Sequence, residues 1–143
     1  MVRRLRPSGL AALRDLQALD AIDPSVGHKL GMARVYEALG DYSTAIRIAA
    51  ALPRTDENDD FLVTIRLASI ARNEGKYADS LQLLNDLRAR RPGTGGTKFF
   101  YHRARSLLKL GRVDEAISDL TTAIGDQPDY ACLLYTSPSP RDS

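Results

Sequence analysis

Residues 1–131 contain no cysteine, which excludes from them both a disulfide and a thiolate metal site; the chain's single thiol is Cys132. Histidine is almost as scarce. His28 and His102 lie 74 residues apart, and neither has a cysteine or clustered carboxylates at a metal-ligand spacing. With no nucleophile motif beside them, a catalytic triad is unsupported, so the expectation is a non-enzyme with no cofactor. No apolar run approaches the ~18 residues that cross a bilayer. Charge of one sign is lacking too: 20 basic against 18 acidic residues leave +2, too balanced to argue for nucleic acid or a membrane surface. The opening Met1-Val2-Arg3-Arg4-Leu5-Arg6-Pro7 is basic but has no apolar core behind it, so it is not a secretory signal. A cytoplasmic location is the default expectation.

What the chain has is a repeat. Leu39-Gly40-Asp41-Tyr42-Ser43-Thr44-Ala45-Ile46 returns as Glu74-Gly75-Lys76-Tyr77-Ala78-Asp79-Ser80-Leu81 and again as Leu110-Gly111-Arg112-Val113-Asp114-Glu115-Ala116-Ile117. The glycines are 35 and then 36 residues apart, a period that marks a solenoid, in which each unit touches only its neighbours.

Each unit predicts a helical hairpin. Phe100, Ala104, Leu107 and Leu108 recur at three- and four-residue spacings over Lys98 to Leu110. Gly111 then supplies a left-handed turn. Ala116, Ile117, Leu120, Ala123 and Ile124 form one face of a second helix over Asp114 to Gly125, which Pro128 closes. Small residues at 104, 116 and 123 permit close approach of the two helices. Upstream, Leu67, Ala68, Ala71, Leu81, Leu84 and Leu87 repeat the design, as do Met32, Ala33, Tyr36, Leu39, Ala45, Ile46, Ala49 and Leu52. The acidic run Asp56 to Asp60 opens a helix, where carboxylates meet the positive end of the dipole.

Phe100, Arg103-Ala104, Leu107, Gly111, Ala116, Leu120, Ala123 and Pro128 resemble the signature of the tetratricopeptide repeat family. The other two units depart from it: Lys29 and Thr64 replace the early aromatic, Ser80 the first alanine, and Leu52 and Leu87 the second. The resemblance implies an all-α fold, a right-handed superhelical solenoid of antiparallel helix hairpins. The expected units are 26–58, 59–94 and 95–128. Residues 1–25 form the second helix of an incomplete preceding repeat, and 129–131 start a truncated further one. Such a slice of a longer array is expected to melt broadly or self-associate.

The resemblance also implies a concave face built by the first helix of each hairpin. Carried onto this sequence, its partner-facing positions are Leu30, Arg34, Glu37, Leu62, Ile65, Arg66, Ser69, Arg72, Asn73, Lys98, Tyr101, His102, Arg105 and Lys109. Lysine and arginine dominate this set, with Glu37 the one acid. The expected function is therefore a scaffold binding an acidic peptide or helix, without nucleic acid or membrane. Two other placements stay open: the substrate-presenting arm of a larger enzyme such as a transferase, and an adaptor in envelope or polysaccharide-export machinery. A nucleic-acid role would rest on Arg3, Arg4, Arg6 and the cluster Arg88, Arg90 and Arg91.

Two further motifs dissolve on inspection. Gly93-Thr94-Gly95-Gly96-Thr97-Lys98 follows a helix rather than a strand, and Phe99 stands where a phosphate loop needs serine or threonine. Asp56, Asn58 and Asp60 open like a calcium loop, but Phe61 and Leu67 occupy the places of its turn glycine and distal glutamate. Finally, Cys132 to Asp142 resemble the translation of a sequencing-library adapter, and 132–143 are set aside as an artefact.

Overall fold

The computed structural model describes residues 7–126. The expectations for Cys132 and the adapter-like segment, for Pro128, for 129–131 and for Arg3, Arg4 and Arg6 lie outside the described residues. Seven helices, and no strand among the described residues, follow in order: α1 (Pro7–Ile22), α2 (Val26–Ala38), α3 (Tyr42–Ala50), α4 (Glu57–Asn73), α5 (Tyr77–Arg90), α6 (Thr97–Lys109) and α7 (Val113–Asp126). No helix among them is long and apolar enough to cross a membrane.

The turn glycines do what their spacing predicts. Gly40, Gly75 and Gly111 have φ of +83°, +86° and +78°, which side-chain-bearing residues rarely adopt. Each closes its helix identically. The glycine N–H donates three residues back, to Glu37, Arg72 or Leu108, and the next N–H donates to Tyr36, Ala71 or Leu107. These two bonds satisfy carbonyls that a helix end otherwise leaves bare. At the other ends, Ser25, Asp41 and Asp56 cap α2, α3 and α4, each accepting from the N–H three residues on.

The helices pack as antiparallel neighbours, α2 on α3, α4 on α5 and α6 on α7, with α2, α4 and α6 also touching in sequence. Three small cores run along the array. One joins Ala33, Ala45, Ala49 and Leu52 to Val63, Leu67 and Ile70 of the next hairpin. A second gathers Ile65, Ala68, Leu84 and Leu87 with Phe99. The third holds Leu81 against Ala104, Leu107 and Ala116. Every one crosses a hairpin boundary, so stacking buries what no hairpin buries alone. The drift at Ser80 has a structural reason: its Oγ lies 2.8 Å from both the Ala68 carbonyl and Ser106 Oγ, stitching the second hairpin to the third.

Three expectations about the apolar faces need correction. Phe99, not Phe100, is the fully buried ring; Phe100 packs against it edge-on from a half-buried position. The helix starts at Thr97 and turns residue 99 toward α4 and α5. Leu108 and Ile117, expected inside, are 46% and 54% exposed. Ile117 corresponds in register to Leu81, which the following hairpin covers, and no described helix follows α7. In α1, Leu13 is buried while Leu19 and Ile22 are exposed. That helix is held to α2 by Lys29 pairing with Asp20.

Candidate functional site

The first helices α2, α4 and α6, which carry the expected partner-facing residues, pack side by side. Two of the fourteen are corrected outright. Ile65 is buried in the core with Leu84, Leu87 and Phe99, and Leu30 packs on the core of the first hairpin. Both are apolar, and burial against neighbouring helices outweighs what either gains by facing solvent. Leu62 is half-buried.

The α2–α4 half of the face is internally neutralised. Glu37, 7% exposed, accepts from Arg66 Nη1 at 2.9 Å, from Ser69 Oγ at 2.8 Å and from Asn73 Nδ2. A carboxylate removed from water needs this many donors. Arg66 and Ser69 are therefore structural partners of Glu37 rather than free groups awaiting a ligand, and Asn73 joins them through its amide.

The α4–α6 half is different. Arg72 is 5% exposed. Its Nη atoms reach only the backbone carbonyl of His102, at 3.4 Å, and His102 Nδ1, at 3.3 Å, while Nε has no hydrogen-bond partner. Burial, and after it the neighbouring Arg105, draws the Arg72 guanidinium down to about 10. Burial also pushes the His102 imidazole down to about 3, helped by the cations Arg72, Arg105, Lys98 and Arg66. His102 is thus neutral at pH 7, and because arginine only donates, Nδ1 accepts and Nε2 carries the proton.

Other cations of the first helices are exposed. Arg105 lies over the Tyr101 ring at 5.4 Å, and Lys109 over Tyr77 at 6.0 Å. Lys98 and Arg34 are exposed. Among the described residues none of Arg34, Arg72, Lys98, Arg105 and Lys109 forms an ion pair.

Away from this face several arginines are engaged. Asp60, expected to meet the positive end of the dipole, lies in the first turn of α4 and is 2% exposed, with Oδ1 2.8 Å from Arg90 Nη2 and Oδ2 3.0 Å from Arg91 Nε. Burial works to raise its carboxyl, but bonds from Arg90, Arg91 and Thr64 hold it below the usual value. Arg88 lies over Phe99 and Phe100 at 5.7 and 5.3 Å. Arg88 thus packs on the third hairpin, while Arg90, 45% exposed, and Arg91 pair within the second. Arg103 makes a fork-like pair with Asp119, Nε to Oδ2 at 2.8 Å and Nη2 to Oδ1 at 2.9 Å. Sequence reasoning missed both pairs, though an antiparallel hairpin sets the start of its first helix beside the end of its second. An acid opening α4 and bases closing α5 were therefore the available signal.

The other motifs have structural occupations too. Gly96 precedes α6 with φ of +88°, and a cavity of about 580 Å³ lies between the start of α4 and the Gly93–Gly95 loop. Asp56, the first acid of the calcium-like run, caps α4 as a helix-start residue.

Against known proteins, the model of the tetratricopeptide repeat, described as "Tetratrico peptide repeat", matches residues 25–131. The solved structure of MamA MSR-1 C2 superposes with a TM-score of 0.58 over 86% of this chain and 70% of that one, at 17% identity. At that identity the likeness shows the fold alone. No curated protein sequence matches the chain.

Proposed function

The chain belongs to the tetratricopeptide repeat family, and from that premise we propose that this protein-interaction scaffold holds an acidic peptide or helix across α2, α4 and α6. A helical solenoid presents an extended surface built from successive hairpins, which suits binding to another protein rather than catalysis. The observation that carries the acidic preference is the unneutralised state of one face. Asp60 and Asp119 neutralise arginines elsewhere, whereas Arg34, Arg72, Lys98, Arg105 and Lys109 share a face whose buried acid, Glu37, is fully engaged.

Such a face attracts anionic segments from a distance and holds their carboxylates at contact. Arginine can meet a carboxylate through two parallel N–H donors, and Tyr101 beneath Arg105 restrains that guanidinium before the partner arrives. Tyr77 and Tyr101 add flat apolar surface on which a peptide can rest.

The test is charge reversal at exposed positions, Lys98→Glu with Arg105→Glu. Arg66 is unsuitable, because its reversal would break the Glu37 network. A blocked oligoglutamate peptide is titrated against the full chain over a salt series. Expected is binding that weakens with salt and is lost in the double variant; unchanged binding by that variant overturns the proposal.

A further inference from the structure

Aligning the second and third hairpins on their turn glycines, Gly75 and Gly111, sets a 36-residue register. The three groups that surround Glu37 are Arg66, Ser69 and Asn73. Moved forward by one repeat, these positions hold His102, Arg105 and Lys109. Glu37, three residues before Gly40, corresponds to Arg72, three residues before Gly75. The α2–α4 junction therefore has an acceptor among donors. The α4–α6 junction has the donor positions, two of them cationic, but an arginine where the acceptor stood.

That arginine is not satisfied by its surroundings. At 5% exposure it has no carboxylate within ion-pair distance among the described residues, feels Glu37 only from farther off, makes two long contacts to His102, and leaves Nε without a hydrogen-bond partner. A buried cation left in this condition is costly, and a fold keeps one only where something offsets it. Arg105 acts on it directly and reaches solvent, as does Lys109 one turn further along α6.

We propose that a carboxylate of the bound partner sits at the α4–α6 junction against Arg72, Arg105 and Lys109, supplying in trans the acceptor that Glu37 supplies in cis one repeat earlier. The inference rests on the acidic-partner reading above and narrows it to one junction and one functional group. The carboxylate can belong to an aspartate or glutamate side chain or to a chain terminus. In either source it offers two oxygens to the Arg72 donor fork, and the α2–α4 junction offers nothing equivalent.

The test follows the Nε–H resonance of Arg72, assigned by its loss in Arg72→Met, in the full chain. Two probes are titrated: a blocked oligoglutamate, with side-chain carboxylates only, and an oligoalanine with a free C-terminal carboxylate. A shift of the Arg72 signal with either probe supports the proposal and identifies the source. Arg72→Met and Arg72→Glu should each weaken that probe about 30-fold or more, the loss expected when one partner of a buried charge pair is removed. Arg72→Glu, by placing an acid among His102, Arg105 and Lys109 as Glu37 is placed, should also raise the melting temperature. If oligoglutamate binds in a manner sensitive to Lys98→Glu with Arg105→Glu, yet Arg72 neither shifts nor matters, this inference fails while the acidic groove stands. If neither probe binds the native chain, both fail.

Discussion

Replacing Glu37 with alanine should damage this protein more than removal of a face-lining acid ordinarily would. The side chain is buried and accepts from three residues of α4, so it fastens the first hairpin to the second. Its loss strands Arg66, whose side chain is 19% exposed, without its counter-ion, and leaves the buried Ser69 hydroxyl without its acceptor. Breaking a buried pair costs about 3–5 kcal/mol when the remaining charge is fully enclosed. Arg66 keeps some contact with water, so about 2–3 kcal/mol is the expected loss. Against a total stability of about 5–15 kcal/mol this is large, and it corresponds to roughly 10 °C in melting temperature. The assay is urea and thermal unfolding of the native chain, Glu37→Ala, Arg66→Met and the double variant. The double variant should be less destabilised than the two single losses added together, because it removes the stranded cation. A loss under about 0.5 kcal/mol for Glu37→Ala, the range of ordinary surface substitutions, would refute the assignment of Glu37 as the junction between hairpins.

Three other outcomes follow from the same contacts. His102 has a folded-state value depressed to about 3 from 6.5, so the unfolded chain binds the proton first and stability falls as pH drops from about 6.5 toward 3. The slope approaches about 1.4 kcal/mol per pH unit in that window; His102→Gln should flatten it in denaturation curves recorded from pH 7 to 5. Asp60→Ala should cost about 1–3 kcal/mol in urea unfolding, because Thr64 is buried and Arg90 and Arg91 lose their shared acceptor. Gly75→Ala meets no atom within 4 Å, so only its φ of +86° opposes the change, and a loss of about 1–2 kcal/mol is expected.

The sequence revealed the parts of this fold that depend on local chemistry. Glycine at a fixed offset from each helix end, apolar residues at helical spacing and acids ahead of Phe61 were enough to place helix and turn, because capping, period and dipole act within a few residues. What stayed hidden acts across repeats. Glu37 meets its partners 29 to 36 residues away, and nothing in its own neighbourhood distinguishes it from a solvated acid. Counting charges along the first helices therefore overstated the free cations by including Arg66 and treated Ser69 as accessible. Phe99 and Phe100 are adjacent and chemically identical, so a small rotation of α6 decides which is buried; only packing against Leu84 and Leu87 fixes it. Arg72 was named from its helical position alone, but its lack of a counter-ion is a property of the assembled α4–α6 junction.

On the proposal above, this solenoid selects partners by negative charge through the face of α2, α4 and α6. Selection of binders from an unbiased random-peptide display library, with the native chain and with the Lys98→Glu, Arg105→Glu variant in parallel, tests it most directly. Expected are peptides enriched in aspartate, glutamate or a required free C-terminus from the native chain, and loss of those peptides from the variant. Peptides with no acidic bias, or the same peptides recovered equally by both proteins, would contradict it.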